Sequence, residues 1–339
     1  MEAAMSKKRL VPLVIGAGVV LALAFGYVAW NRTGTPEETL ARKVQTAGSE
    51  EDRIAAARGL IQLGEPGRGG IKQIVLAGDA ESNAMLAVAL HEWFEAAPTG
   101  ADRASMAAFL LDLQPRAGEA GQVAMFELVP TLIRGASPEL LAQAREAVKT
   151  GMISGTADVA CKAVRLAMRP EMQLKAEIVP ALQRPEAAVR KEALLAIGPA
   201  VGDNAVIGTE DLFAWLHDAD AEVRLVCEAA LSTRGMEPEQ IEAARKLTNT
   251  DVAERLSLLV QLRNGGKTLG EPGPWLERLS RDPEPAVRAG AARVACERKL
   301  PFAGWVRKLA LEDPDAGVRQ VAEFHRQRAD IQQAGYEGN

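Results

Sequence analysis

The sequence predicts an all-α protein: a right-handed α-solenoid of about nine antiparallel helical hairpins, preceded by one transmembrane helix. Three observations carry that expectation. Helical runs of one pattern recur every 29–35 residues through the second half of the chain, the period of a helix–turn–helix unit that buries its apolar face only by stacking on its neighbours. Hydrophobic residues make up 47% of the 339 residues but aromatics only 4%, so Ala, Leu and Val carry the apolar fraction, and Ala and Leu are strong helix formers. Residues 10–30 form an uncharged run of 21, matching the roughly 20 needed to cross a bilayer core.

The N-terminal run comes first. Lys7, Lys8 and Arg9 precede it, Tyr27 and Trp30 sit where an interfacial aromatic belt would lie, and Pro12 falls in the first turn, where proline is tolerated. The basic flank keeps a tail, 1–9, in the cytoplasm and sends the rest across, although Arg32, Arg42 and Lys43 beyond the span weaken the asymmetry. A cleaved signal peptide is the rival reading, with Ala22-Leu23-Ala24 as its site. The apolar run continues past Ala24, which favours an uncleaved anchor. The expected localisation is a bacterial-type inner membrane, single pass, with a cytoplasmic N-terminus and a periplasmic or otherwise extracytoplasmic repeat domain. A linker, 31–35, follows the span.

Residues 36–157 read as degenerate repeats and 158–329 as clear ones, with a flexible tail at 330–339. In the clear region the leading valines are Val159, Val189, Val223, Val252, Val287 and Val318, separated by 30, 34, 29, 35 and 31 residues. The positions four, seven and eight after each of the first five are apolar, as in Ala193, Ala196 and Ile197 or Leu256, Leu259 and Val260. That spacing makes one stripe on a helix and would scatter over both faces of a strand. The last copy ends in His325 and Arg326, the polar outer face that a terminal repeat needs. Upstream, Arg53 to Arg58 has the same flavour with Asp52 in place of valine. Leu86, Leu90, Trp93 and Phe94, then Met125, Val129, Leu132 and Ile133, continue the stripe. Breakers such as Gly64-Glu65-Pro66-Gly67, Asp282-Pro283 and Asp313-Pro314 separate the helices.

These runs resemble the HEAT-repeat family, in its short bacterial form of roughly 30 residues. The element that carries the resemblance is an Asp five residues before a Val-Arg pair: Asp218 before Val223-Arg224, Asp282 before Val287-Arg288, Asp313 before Val318-Arg319. At Val189-Arg190 the Asp is replaced by Arg184, and after Val252 the Arg is replaced by Ala253, so an imperfect ladder is expected in those two copies. An Asp and an Arg six apart lie about 120° from each other around a helix, so the Arg reaches the Asp of a neighbouring repeat while each Asp caps its own helix. Asp218, Asp282, Asp313, Arg190, Arg224, Arg288 and Arg319 are thus expected to form a structural ladder rather than a site.

Motifs that carry chemistry are sparse. Net charge is −5 and no basic stripe stands out, which disfavours nucleic acid as a partner. Cys161, Cys227 and Cys296 lie far apart without a CxxC, inside apolar helical runs. His91, His217 and His325 fall in different repeats with no second ligand at i+3 or i+4, so no metal is expected. Gly265-Gly266-Lys267-Thr268 echoes a phosphate loop, but its first Gly would fall at Gln261 and no strand precedes it. Trp215, Trp275 and Trp305 recur in first helices and read as core. No cofactor and no catalytic residue are expected.

The expected function is a membrane-anchored protein-binding scaffold whose partner is a protein or peptide. The candidate concave face comprises Lys191, Glu228, Glu254, Gln261, Arg293, Glu323 and Gln327, on second helices and off the core stripe. The alternatives are an enzyme of the HEAT-like lyase type, which the resemblance implies as an option, or a mechanical assembly part of the cell envelope.

Overall fold

The computed structural model describes residues 34–96, 100–265, 269–298, 300 and 304–336, and among these the chain is helical with no strand. The expected transmembrane segment 10–30 and the tail 1–9 lie outside the described residues. Among the described residues no helix is long and apolar enough to cross a membrane. The one of spanning length, Ala316–Tyr336 with 21 residues, carries Arg319, Glu323, Arg326 and Arg328. That finding overturns the single-pass inner-membrane localisation.

The chain folds as two compact units, one ending at Glu177 and one beginning at Ile178. The boundary falls after 157, where the sequence signal sharpens. The first unit holds four helix pairs: α1 (Pro36–Thr46) with α2 (Glu50–Gln62), α3 (Gly67–Ala77) with α4 (Ala80–Ala96), α5 (Ala101–Leu113) with α6 (Glu119–Leu132), and α7 (Pro138–Ser154) with α8 (Ala157–Ala167). First members pack on first members and second on second in chain order. The upstream stripe lies inside: Leu86, Leu90, Phe94, Met125, Val129, Leu132 and Ile133 are buried.

The second unit holds five pairs. Two begin with a 3₁₀ segment, Ala176–Gln183 before α9 (Ala187–Ile197) and Asp211–His217 before α10 (Ala221–Thr233). Three follow as α11 (Pro238–Leu247) with α12 (Val252–Asn264), α13 (Pro272–Leu279) with α14 (Pro285–Glu297), and α15 (Gly304–Glu312) with α16 (Ala316–Tyr336). A 3₁₀ segment rises about 2.0 Å per residue against about 1.5 Å for an α-helix, so seven or eight residues reach about as far as the ten of α11. Pro180, lacking an N–H, sits inside the first of these segments. α16 runs to Tyr336, past the point where a loose tail was expected.

Why these helices face as they do follows from their stripes. Val159, Ala163, Leu166 and Ala167 on α8 are buried, as are Val189, Ala193 and Ile197 on α9, Val223, Cys227, Ala230 and Leu231 on α10, and Val287, Ala291, Val294 and Ala295 on α14. α12 departs from the expected register. Its buried residues are Arg255, Leu258, Leu259 and Leu262, and Val260 is more than half exposed. The equivalent of Val223 is therefore Glu254, not Val252. Counted on the arginines 190, 224, 255, 288 and 319, the period is 34, 31, 33 and 31 residues, more even than the valine count.

Candidate functional site

The second helices of the second unit are fixed from within before they offer any surface. Four of the five start with an extended N-cap, Glu186, Asp220, Asp251 or Glu284, and four residues later carry an arginine. Arg190 donates from Nε and Nη2 to Asp218 at 2.7 and 2.8 Å, and Arg288 does the same to Asp313 at 2.8 and 2.9 Å. The third guanidinium nitrogen turns back on its own loop: Arg190 Nη1 donates to the carbonyls of Arg184 and Pro185, and Arg288 Nη1 to those of Asp282 and Pro283. One side chain thereby ties its own helix entry to the next hairpin, with the planar fork matched to the carboxylate. Hydrogen bonds from Arg190 and Arg288 hold the Asp218 and Asp313 carboxyls below their usual range, against the opposing push of burial.

The ladder has one rung that sequence reasoning missed and one that is broken. Arg255 takes the place assigned to Ala253. Its Nη1 donates to the carbonyls of Asn249 and Thr250 and Nη2 to Asp282 Oδ1 at 3.3 Å. Nε lies 2.7 Å from Oδ2, out of line for a hydrogen bond. Arg224 binds the carbonyls of Asp218 and Ala219, but Asn249 stands where the next carboxylate would be. Arg319 likewise holds only its own loop, at the carbonyls of Asp313 and Pro314. The aspartates do not cap their helices as expected. Asp218, Asp282 and Asp313 accept from the N–H two residues on, forming a turn before the helix, and Asp220 and Asp251 cap instead. Arg184 pairs with Glu186.

Outside this ladder, positions one, five and eight after each arginine share a face. The fifth position holds Leu195, Ala229, Val260, Arg293 and Phe324, and the first holds Lys191, Leu225, Leu256, Ala289 and Gln320. Leu195, Leu225, Val260 and Phe324 are each more than half exposed. At α14 the pattern changes, and a groove of about 370 Å³ opens there, lined among others by Leu256, Val260 and Arg263 of α12, Ala289 and Arg293 of α14, and Val321 of α16. Arg263 pairs with Glu297 at 2.8 Å.

The expected concave residues do not form one stripe. Lys191, Arg293 and Gln327 fall on the face just described. Lys191 is bound to Glu222 at 2.6 Å, and Arg293 is exposed. Glu228 and Glu323 stand at its border, half-buried. Glu228 pairs with Arg245 of α11. Arg326 and Gln327 bind Glu323 at 2.7 Å each and hold its carboxyl at about 2. Glu254 and Gln261 lie about 140° round the helix from that face. The apolar positions went unmarked because exposed leucines and core leucines look alike until the arginine register is known.

The other residues singled out disperse. His91 Nδ1 lies 3.0 Å from Thr131 Oγ1, and His217 Nε2 2.9 Å from the Arg245 carbonyl. Burial lowers the affinity of His325 for its proton. Among the described residues no three His, Cys, Asp or Glu are grouped so as to hold a metal ion. Trp215 donates to the Leu182 carbonyl at 3.1 Å, and Trp275 stacks on Phe213 at 6.3 Å. Burial pushes the Cys227 thiol up to about 12. Gly265 is the left-handed C-cap of α12, and 266–268 lie outside the described residues.

No family model matches the chain, and no curated protein matches it. Several solved structures show likeness, two of which follow. The crystal structure of an engineered protein is 18% identical, with 88% of this chain and 99% of that one covered, at a TM-score of 0.27. Human deoxyhypusine hydroxylase in complex with glycerol is 19% identical, with 87% and 96% covered, at a TM-score of 0.26. At these scores neither likeness bears on fold or activity.

Proposed function

We propose that the chain is a HEAT-like solenoid of about nine hairpins that serves as a protein-binding scaffold, its partner lying along the exposed face of the second helices. The observation that carries this reading is the periodic row of Leu195, Leu225, Val260 and Phe324, apolar and more than half exposed, on helices whose inner faces are already filled. Scattered surface leucines need no explanation, whereas apolar residues recurring on one helix face from hairpin to hairpin, at the first or fifth position after each arginine, are of the kind that marks an interaction site. Rungs at Arg190, Arg255 and Arg288 pin three of the steps between these hairpins, which reduces the ordering entropy that opposes binding.

The test is site-specific photo-crosslinking of the full chain in an extract of the cells that make it. A benzophenone side chain at position 225 or 260 should yield one defined protein adduct, and one at position 239 on α11 should not. Equal labelling from all three positions, or none from 225 and 260, would remove the scaffold reading.

A further inference from the structure

The groove on α12, α14 and α16 is where the apolar row is interrupted, and the interruption has a chemistry. At the first register position α10 and α12 carry Leu225 and Leu256, but α14 carries Ala289; at the fifth, α12 and α16 carry Val260 and Phe324, but α14 carries Arg293. A small residue thus replaces a large one and a cation replaces an apolar side chain, on the middle of the three helices that line the groove. The result is a notch floored by Leu256, Val260, Ala289 and Val321. Of the two arginines at its rim, Arg263 has Glu297 as its partner, while Arg293 is exposed with no carboxylate within 4.0 Å among the described residues. In a chain of net charge −5 this is a local excess of positive charge beside an apolar pit.

We infer that this notch receives an acidic amphipathic segment of a partner protein, one bulky apolar side chain filling the space above Ala289 and a carboxylate meeting Arg293. The inference rests on the scaffold reading and sharpens it by naming the partner's chemistry. An apolar anchor desolvated in a pocket, beside a charge pair at the rim, is the arrangement that concentrates binding energy in few residues. The rim charge selects the sign of the partner, because a basic segment would leave Arg293 repelled rather than paired.

Fluorescence anisotropy of the full chain with three labelled helical peptides tests it: one with Leu at i, i+3, i+4 and i+7 and Glu elsewhere, the same with Lys for Glu, and the Glu peptide with Ala for Leu. The Leu/Glu peptide should bind, and the other two should bind at least tenfold more weakly. Ala289→Leu installs the residue that α10 and α12 already carry, so the fold is kept while the notch is filled; it should weaken the Leu/Glu peptide tenfold or more. Arg293→Glu should do the same and invert the preference between Glu and Lys peptides. Equal binding of the Leu/Glu and Leu/Lys peptides, no binding of the Leu/Glu peptide, or indifference to both substitutions would overturn the inference. A dimer in sedimentation velocity that Ala289→Leu abolishes would also overturn it, by making the occupant a second copy. Failure of the Leu/Glu peptide alongside a defined adduct at position 225 would leave the scaffold standing and remove only the acidic partner.

Discussion

The two units solve one problem, fixing each hairpin against the next, with different chemistry. Four residues after the N-caps of its second helices the first unit carries Arg53, Asn83, Gln122 and Ala160, and two residues before those N-caps Ala47, Ala77, Arg116 and Ser154, so no carboxylate stands there to complete a rung. The second unit carries arginine at all five helix positions and aspartate at three of the loop positions. What remains in the first is the inner half of the device, with one reach to the next hairpin, Arg53 Nη1 to the exposed Glu81 at 2.9 Å. Arg53 Nε donates to the Ala47 carbonyl, Gln122 Nε2 to that of Ala117, and the Asn83 amide to those of Ile74, Gly78 and Asp79. Further ion pairs from one hairpin to the next, Arg58 with Glu92, Glu95 with Arg134 and Glu127 with Lys162, run over the surface. Tight apolar packing takes over, with Phe94 and Phe126 fully enclosed. Loop hydrogen bonding is thus separable from the buried charge pair, and only the pair makes a repeat conspicuous in sequence.

Removing one arginine from each kind of pair should split the units most widely. The Arg288 and Asp313 side chains are 10% and 2% exposed, those of Arg58 and Glu92 52% and 46%. Arg288→Ala leaves a carboxylate buried without its partner and strips two loop carbonyls, and should destabilise by about 3–5 kcal/mol. Arg58→Ala removes only a solvent-screened surface pair and should leave the midpoint close to that of the parent. Urea midpoints of the two variants give the comparison, and a cost for Arg288→Ala below that of Arg58→Ala would erase the distinction drawn between the units.

Glycine substitutions should show the opposite bias, at smaller size. A Cβ on Gly121 of α6 would lie 2.1 Å from the Val75 carbonyl oxygen, which belongs to the backbone, whereas one on Gly290 of α14 would meet only the Leu259 Cδ1 tip at 2.6 Å. Gly121→Ala should therefore cost about 1–3 kcal/mol, because a helix must move. Gly290→Ala should be near neutral, the rotation of Leu259 being offset by up to about 1 kcal/mol of helix propensity. Thermal melts rank the two, and a costlier Gly290→Ala would deny that close approach is the first unit's particular means of cohesion.

How much of this was legible follows from the same contrast. The rungs from Arg190 to Asp218 and from Arg288 to Asp313 could be read from the sequence because a six-residue offset forbids pairing within one copy. Arg255 could not, because Val252 supplies a leading valine two residues early and shifts the apparent register; even spacing of the arginines is the signal that finds it. The first unit hid because burial alone tolerates any apolar residue of suitable volume, so its period leaves no fixed letters. The apolar row at Leu225, Val260 and Phe324 was hidden for a related reason. Periodicity marks a face as apolar, and only the register set by the arginines says which face is already covered.

Asn249 allows the broken rung to be repaired, with the smallest effect and the most specific signature. Its Oδ1 already accepts from the Asp251 N–H at 2.8 Å, as Asp218 does from Asp220, so Asn249→Asp keeps the turn and adds only the charge that Arg224 lacks. The site is half-buried, and a gain of about 1 kcal/mol in urea denaturation at neutral pH is expected. If the gain is a rung, the new carboxyl is depressed in the folded state as those of Asp218 and Asp313 are. Its contribution is then full above the unfolded aspartate value of about 3.9 and is lost as pH falls through the lower folded value. The advantage of the variant over the parent should therefore shrink between neutral pH and about pH 3. A gain that persists unchanged in acid would come from something other than the pair, and no gain at neutral pH would mean that the second unit does not depend on its ladder at this step.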